Sequence, residues 1–367
     1  EKLGQRIDAD LATAHDLQEV LDRARVVGSE QAFLIGVRLI SGTIGADQAG
    51  RAYAVLAEHL ISALQDRVAG ELRRQHGQVK GGAAAVVAMG KLGGREMTAA
   101  SDLDLILIYD FDRETTQSDG SRPLSTSQYF TRLTQRLISA MTAPTAEGQL
   151  YEVDMRLRPS GLKGPVATQL SSFIEYQMSE AWTWEHMALT RGRVITGPPH
   201  LRRSIEETIA TILRRPRDRA KVAKDVIEMR ALVAKEKGTE DRWDLKQVRG
   251  GLVDLEFIAQ FLQLVHAARH PEILDQGTVG ALEAAGRLGL IGPADAETLI
   301  PAARLTNALT QVLRLCLDGP FDSKSAPNGL KLLLCHAAGL PDFTRLEAEL
   351  ADIQAEVARL FEAIVAP

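Results

Sequence analysis

Apolar residues recur at helical spacing along the first eighty residues and again over the last part of the chain. In the first part they return every three or four positions, which predicts helices. The predicted helices cover 11–24, 33–40 and 46–76. A short polar link with glycines, 78–82, follows the third of them. We therefore predict an N-terminal helical segment over residues 1–79.

Strand-like apolar runs are confined to a central stretch that begins after this link. The predicted strands cover 83–89, 103–109 and 150–156, and the predicted helices cover 125–140, 171–177 and 181–191. The polar segment 110–123 predicts a flexible loop near the functional site, because loops carry function on a rigid scaffold. The sequence Thr196-Gly-Pro-Pro199 ends this stretch. An α/β core is predicted over 80–199.

Beyond residue 200 the strand pattern disappears and only helical periodicity remains. The predicted helices cover 205–213, 220–233, 252–268, 278–288, 294–317, 328–338 and 346–365. A succession of helices with apolar faces is typical of a bundle. We predict a C-terminal helical bundle over 200–367.

The junction of the first two predicted strands carries the most specific pattern in the sequence. Gly93-Gly94 follows the first strand, and Asp102 and Asp104 stand where the second begins. Alternate residues of a strand point to the same face, so both carboxylates would project together, about 6–7 Å apart at the backbone. Mg²⁺ binds one or two carboxylates together with substrate phosphates, and glycines at the start of a short helix let N–H groups approach phosphate. The pattern predicts nucleotide chemistry.

This spacing fits neither a P-loop nor a Rossmann turn. Gly-Gly, a gap and Asp-x-Asp resembles the signature of the polymerase-β-like nucleotidyltransferases. The longer sequences Gly90-Lys-Leu-Gly-Gly-Arg-Glu and Ser101-Asp-Leu-Asp-Leu resemble one branch of that superfamily, glutamine synthetase adenylyltransferase. The resemblance implies an α+β fold, in which a polymerase-β-like nucleotidyltransferase core with a mixed sheet is flanked by an N-terminal helical segment and a C-terminal helical bundle.

Further blocks extend the resemblance over roughly residues 80–263. Tyr151-Glu-Val-Asp-Met-Arg-Leu-Arg-Pro-Ser160 is similar to a block on a later strand of the family, and Gly250-Gly-Leu-Val-Asp-Leu-Glu-Phe257 to the helical region after the core. The segment from Glu180 to Arg193 resembles the half of the family's enzyme that attaches AMP. Its Trp182 and Trp184 are explained by a helix packed on the sheet.

The resemblance implies an ATP-dependent enzyme that transfers AMP to a tyrosine of glutamine synthetase, releases pyrophosphate by a two-metal mechanism and thereby regulates nitrogen assimilation. It implies Mg²⁺ or Mn²⁺ as cofactor, ATP as substrate, and a PII-type signal protein and glutamine as regulators. Two alternatives stay open. One is the phosphorolytic deadenylylase half of the same family, and the other is a non-catalytic regulatory module that kept the fold.

Three carboxylates are expected to hold the metal ions and support catalysis, namely Asp102, Asp104 and, from the third strand, Asp154. A tyrosine hydroxyl has an unperturbed pKa of ~10, so a nearby base would assist its deprotonation. Asp154 is the candidate base and Glu152, on the same strand face, is its rival. An ion pair of Asp154 with a neighbouring arginine is the structural alternative.

Contacts to the triphosphate are expected from glycines, a hydroxyl and cations near these carboxylates. The candidates are Gly93, Gly94, Ser101, Lys91, Arg156 and Arg158, with Lys246 as a further lysine from the second domain. Arginine offers fixed, bidentate donors to phosphate, and Arg156 and Arg158 would share one strand face. Arg191 and Arg193 are predicted on a helix, where residues two apart do not face together, so at most one should point to the site.

Composition narrows the classes of partner. The chain has 367 residues, which is long enough for two or three domains, and its net charge of −5 argues against nucleic-acid binding. There is no apolar run of about 18 residues and no visible secretory leader, so we expect a cytoplasmic protein without a membrane partner. Cys316 and Cys335 lack metal spacing, and reduced, buried thiols are expected. Because the chain opens with Glu1, it is expected to be a piece of a longer protein.

Overall fold

The computed structural model describes residues 2–366, and helices account for most of them. The first helices are α1 Lys2–Ala12, α2 Leu17–Ile40, α3 Ala46–His76, α4 Gly90–Gly93, α5 Thr126–Thr142, α6 Leu170–Ser179 and α7 Thr183–Leu189. The later ones are α8 Pro199–Leu213, α9 Arg219–Lys237, α10 Leu252–His266, α11 Thr278–Arg287, α12 Pro293–Cys316, α13 Asn328–Ala338 and α14 Phe343–Ile364. The strands are β1 Ala83–Ala88, β2 Leu103–Asp110, β3 Val153–Asp154, β4 Ala167–Gln169 and β5 Arg193–Val194. The predicted α+β class with helical flanks is confirmed.

The first two helices break at a different place from the one predicted. Asp16 caps α2, where its carboxylate accepts a hydrogen bond from the Glu19 backbone N–H at 2.8 Å. The chain therefore turns between α1 and α2 rather than continuing as one helix through residue 24. From Leu17 the helix runs unbroken to Ile40, and Gly28 inside it packs closely against Leu150. Helix α3 has the predicted bounds.

The sheet is mixed and small. Its order is β3-β2-β1-β5, with β4 also paired to β2. Strand β1 is antiparallel to β2 and to β5, whereas β2 is parallel to both β3 and β4. The predicted strand over 150–156 is shortened to β3, because the chain turns after Asp154 and the Arg158 N–H bonds back to Met155 O. Strands β4 and β5 are too short to leave a periodic signal in the sequence.

Alternate residues of β1 and β2 enter two different hydrophobic cores. Val87 and Ile108 pack among the helices that follow the sheet, whereas Val86 and Leu107 pack against α2, α3 and α5. A third core around Trp243 lies within the bundle. The sheet is thus covered by helices on both faces, and its edges and strand ends are left to form a site.

The polar segment 110–123 lies at the far end of β2 from the Asp-x-Asp pattern. Its backbone bonds to the link that precedes β1, through Asp112 N–H to Lys80 O and Gly120 N–H to His76 O. Seven residues at about 3.3 Å each separate the two ends of β2 by about 23 Å. The prediction that this loop lies near the site is therefore wrong.

No helix between residues 2 and 366 has the length and apolar character needed to cross a membrane. Cys316 and Cys335 are free thiols in α12 and α13, as expected, and Cys335 is buried whereas Cys316 is half-buried.

Candidate functional site

Asp104 and Asp154 are direct neighbours on adjacent strands. They are register partners in the parallel pairing of β2 and β3, so their side chains leave the same face of the sheet side by side. Asp102 precedes Asp104 by two residues, and all three side chains line one cavity of about 950 Å³. The structure thus brings together the three carboxylates expected from the sequence, which we call the acidic cluster. Glu152 lines the same cavity.

The surroundings of Asp104 disfavour the charged form of its carboxyl group. Burial is the main cause that raises its pKa, and the negative charges of Asp102 and Asp154 raise it further, to about 6. Lys246 and Arg156 act in the opposite direction without cancelling the effect. A divalent cation beside such a group would favour its charged form. The electrostatics of the acidic cluster therefore fit a bound metal ion.

Asp154 already has a cation in contact. Its carboxylate accepts hydrogen bonds from the Arg156 backbone N–H at 2.8 Å and from the Arg156 Nε at 2.7 Å. Burial acts to raise the pKa of Asp154, but these hydrogen bonds outweigh it and hold the pKa below its ordinary value. The ion pair named as the structural alternative is therefore present in the structure.

The donor set suits Mg²⁺ or Mn²⁺ bound together with a phosphate. Within residues 2–366, no group of three or more His, Cys, Asp or Glu side chains forms a ready-made metal cage. Mg²⁺ does not need one, since it is usually held by one or two carboxylates plus substrate phosphates. Asp102 and Asp104 are two carboxylates in the cavity lining that could take this role.

Cations from three distant parts of the chain line the same cavity. Lys91 comes from α4, Lys246 from the segment before α10, and Arg314 from the last turn of α12. Burial lowers the pKa of Lys91, and the charges of Lys246 and Arg314 lower it further while Glu256 opposes them. This basic cluster is suited to a polyphosphate, because charge-assisted hydrogen bonds to phosphate are strong. Arg314 carries no motif and was not predicted.

Gly90, rather than the predicted glycine pair, lies beside the carboxylates. Its φ is +51°, and a side chain there would collide with the Asp104 carboxylate. Gly93 is pressed against the carbonyl oxygen of Arg191, and neither it nor Gly94 belongs to the cavity lining found for the described residues. Helix α4 ends at Gly93 and Gly94 is its C-cap, so the glycine pair lies at the end of the short helix and not at its start, and this part of the prediction is wrong.

Ser101 and Arg158 shape turns around the site. The Ser101 Oγ accepts a hydrogen bond from the Thr98 N–H at 2.9 Å while lining the cavity. The buried Arg158 donates to the carbonyl oxygens of Met155 at 2.8 Å and Pro165 at 3.0 Å. Because the chain leaves the strand after Asp154, Arg156 and Arg158 do not share a strand face, and Arg158 is occupied in holding its own turn.

Arg191 joins the core to the helical bundle. It is buried and donates from Nε to Gly90 O at 2.9 Å and from Nη1 to Glu256 Oε1 at 3.1 Å, and it also pairs with Glu96. Arg193 lies on β5, not on a helix, and pairs with Glu58 at 2.6 Å. Only Arg191 of the two belongs to the cavity lining found for residues 2–366.

The remaining wall of the cavity is largely apolar. It is formed by side chains from α7, α9 and α10, namely Trp184, Met187, Met229, Phe257 and Gln260. Trp182, by contrast, is 71% exposed, so the prediction that both tryptophans pack on the sheet is wrong for Trp182. The cavity therefore combines acidic, basic and apolar surfaces, as a nucleotide requires.

Comparison with known proteins finds relatives over nearly the whole chain. The model of glutamate-ammonia ligase adenylyltransferase matches residues 1–208, and that of GlnD PII-uridylyltransferase matches residues 226–365. The chain is 53% identical over 364 residues to the bifunctional glutamine synthetase adenylyltransferase/adenylyl-removing enzyme of Rhodopseudomonas palustris (strain BisB5), covering 99% of this chain and 37% of that protein. It is 53% identical over 356 residues to the protein of the same name from Xanthobacter autotrophicus, covering 97% and 36%. The chain thus spans a little over a third of the length of these curated relatives.

Proposed function

The chain belongs to the glutamate-ammonia ligase adenylyltransferase family, and on this premise we propose that it transfers AMP from ATP to a tyrosine hydroxyl of glutamine synthetase and releases pyrophosphate. One observation carries the proposal. The acidic cluster and the basic cluster line a single cavity. The acidic cluster and Lys91 come from the core, whereas Lys246 and Arg314 come from the bundle. A negatively charged triphosphate and its cations need both kinds of surface in one place.

Asp102 and Asp104 are the residues that would hold Mg²⁺ or Mn²⁺, with Asp154 as the third carboxylate. When bound, the ions supply charge neutralisation at the phosphate oxygens and activate the attacking hydroxyl. A burial-raised pKa at Asp104 supports this assignment, since the free carboxylate is held in an environment that favours a neighbouring cation.

The basic cluster is proposed to bind the triphosphate and then the departing pyrophosphate. Lys91 is half-buried, so its charge acts through a medium of lower effective dielectric than water. Arg156 has a side chain that is 69% exposed, and it stands where it can exchange Asp154 for a phosphate oxygen. Gly93, Gly94 and Arg158 are left out of this assignment because other contacts occupy them.

Asp154 is proposed as the acceptor of the tyrosine proton. The contact with Arg156 keeps its pKa low, so the carboxylate is ionised at neutral pH and able to accept. Glu152 lines the same cavity and is the alternative acceptor. Proximity of a positioned carboxylate to the hydroxyl is what general-base catalysis requires.

The attaching direction is favoured by the segment from Glu180 to Arg193, whose sequence resembles the attaching half of the family. Removal of AMP would use inorganic phosphate and release ADP at the same clusters. We propose a PII-type signal protein and glutamine as regulators, with the helical bundle as the regulatory part. The match of residues 226–365 to a PII-uridylyltransferase model supports a division of the chain near residue 200.

Transfer of label tests the proposal directly. The chain is incubated with glutamine synthetase, Mg²⁺ and ATP labelled at the α-phosphate, and label on a tyrosine of glutamine synthetase is the expected result. Phosphate-dependent loss of AMP from adenylylated glutamine synthetase would instead assign the removing reaction. If the chain supports neither reaction and the Asp104→Asn variant behaves like the wild type, it is a regulatory module without catalysis.

A further inference from the structure

Gln260 lines the cavity with an amide that has no partner within the described protein. Its side chain lies in the middle of α10, only 8% of the residue is exposed, and it lines the cavity. Within residues 2–366 its amide makes no hydrogen bond to the protein, although Gln263 one turn further on accepts one from the Asp275 N–H at 3.1 Å. Because the residue lines the cavity, the hydrogen-bonding capacity of this amide is open to a ligand there. The position is therefore suited to a ligand that both donates and accepts.

The surroundings of Gln260 are those of a flat, apolar ligand. Trp184 and Phe257 offer aromatic rings, and Met187 and Met229 offer flexible apolar side chains in the same wall. Aromatic faces stack on nucleobases, and methionine adapts to irregular shapes. An apolar wall with one well-placed polar group is the usual design of a pocket for a heterocycle.

The position of Gln260 along α10 sets its distance from the basic cluster, where the phosphates are proposed to bind. Glu256 lies next to the basic cluster through its charge interaction with Lys91 and its ion pair with Arg191. At a rise of 1.5 Å per residue, Gln260 lies about 6 Å further along the same helix face. A nucleotide with its phosphates on the basic cluster would therefore extend its base toward Gln260 and the apolar wall.

We infer that Gln260 binds the hydrogen-bonding edge of the purine base, with Trp184 and Phe257 flanking its ring. The inference rests on the proposed function, because it takes ATP to be the substrate. The amide Oε1 accepts from the exocyclic N6 amino group of adenine and Nε2 donates to the adjacent ring nitrogen, as glutamine does when it pairs with adenine elsewhere. Gln260 is thus a specificity-determining residue in the bundle, remote in sequence from the catalytic motif.

Binding of two probes separates base recognition from phosphate recognition. Titration calorimetry with Mg²⁺ measures the Kd of ATP and of inorganic tripolyphosphate, which lacks a base, for the 367-residue chain and its variants. Gln260→Leu should raise the Kd of ATP by about 5- to 150-fold and leave that of tripolyphosphate unchanged. Gln263→Leu removes a buried amide from the same helix that is not in the cavity lining, and should leave both constants unchanged.

A second variant tests which hydrogen-bonding edge of the base Gln260 contacts. Gln260→Glu replaces a donor and an acceptor by two acceptors, which repel the ring nitrogen of adenine but suit the N1–H and N2–H groups of guanine. The ratio of Kd for GTP to Kd for ATP should therefore fall relative to the wild type. An unchanged ratio together with unchanged ATP affinity in Gln260→Leu would overturn the inference, as would equal weakening of ATP and tripolyphosphate.

The same measurements distinguish the inference from the proposed function. If ATP binding depends on Gln260 as described but no AMP reaches glutamine synthetase, the base site stands and the transfer reaction is wrong. If labelled AMP is transferred but the Gln260 variants bind ATP as the wild type does, the transfer stands and the base site is wrong. If the wild type binds neither ATP nor tripolyphosphate, both are wrong.

Discussion

Asp104 and Asp154 are register partners on adjacent parallel strands, yet their pKa values are displaced in opposite directions. Burial and the neighbouring carboxylates raise the pKa of Asp104 to about 6. Burial also acts on Asp154, but Arg156 bonds to its carboxylate and the pKa falls below its ordinary value. Paired carboxylates whose environments separate their pKa values are a recurrent device for giving each a different task. Here we assign ion binding to Asp104 and proton acceptance to Asp154.

Asp104→Asn should stabilise the metal-free protein at neutral pH. The ordinary pKa is 3.8 and the folded value is about 6, so the unfolded chain binds fewer protons than the folded one between these values. Stability is therefore lost as the pH rises from about 4 to about 6, and the difference corresponds to about 3 kcal/mol at 1.36 kcal/mol per pKa unit. Urea unfolding with chelator should show the variant more stable by up to about this amount at pH 7.5, and equal to wild type at pH 4.

Mg²⁺ should reverse the order of stability. The ion stabilises the folded wild type by mass action, and Asp104→Asn has lost a carboxylate ligand, so its melting temperature should respond less. If millimolar Mg²⁺ in the presence of ATP leaves the melting temperature of the wild type unchanged, the assignment of Asp104 as a ligand is contradicted. A stability difference between the two metal-free proteins that is the same at both pH values would contradict the raised pKa of Asp104.

Gly90→Ala should damage activity more than stability. At φ +51° a residue with a side chain costs about 1–2 kcal/mol, and the added methyl group would also displace the Asp104 carboxylate. Gly289 is the matched control, since its φ is +67° but no atom lies within 4 Å of an added Cβ. Gly289→Ala should show a similar backbone cost in unfolding experiments and full AMP transfer, whereas Gly90→Ala should lose at least about 100-fold in kcat, as misplaced catalytic groups do. Equal activity of both variants would contradict the role of Gly90.

Local patterns predicted the helices well and the site only in part. The bounds of α3 and α13 match the prediction, because long apolar stripes at helical spacing are set locally. Strand β5 was missed because it has two residues and owes its conformation to pairing with β1. Arg193 was consequently predicted on a helix.

The contributions to the site from outside the motif could not be predicted in the same way. Arg314 and Gln260 lie in amphipathic helices where nothing local distinguishes them from other polar residues. Only the packing of α10 and α12 against the core brings them to the cavity. The glycine pair was misassigned for a related reason, since Gly93 is required by the close approach of the Arg191 backbone, a tertiary contact.

Arg156→Gln should impair substrate binding without unfolding the protein. The arginine side chain is 69% exposed, and exposed ion pairs contribute little to folding, so the melting temperature should stay at the wild-type value. The KM for ATP should rise by about 10-fold, because a charge-assisted bond to phosphate is lost. Arg113, an exposed arginine of the segment at the far end of β2, serves as control, and Arg113→Gln should leave the KM unchanged. A normal KM in Arg156→Gln would remove Arg156 from the phosphate site.

Arg191→Met should destabilise the protein and reduce activity together. The guanidinium is buried between Glu96 and Glu256 and donates to Gly90 O. Its removal leaves two half-buried carboxylates without a counter-charge, for which about 3–5 kcal/mol, the cost in a fully buried pair, is the upper bound. Arg191→Lys keeps the charge but lacks the fixed fork of donors, so we expect it to recover part of the stability. Its AMP transfer should remain low, since α4 would still lose the bond that anchors Gly90 beside Asp104.

The exposed Arg345–Glu349 pair is the control, and Arg345→Met should change the free energy of unfolding by less than about 0.5 kcal/mol. Full activity in Arg191→Lys would show that charge alone, and not the anchoring of α4, links the bundle to the acidic cluster.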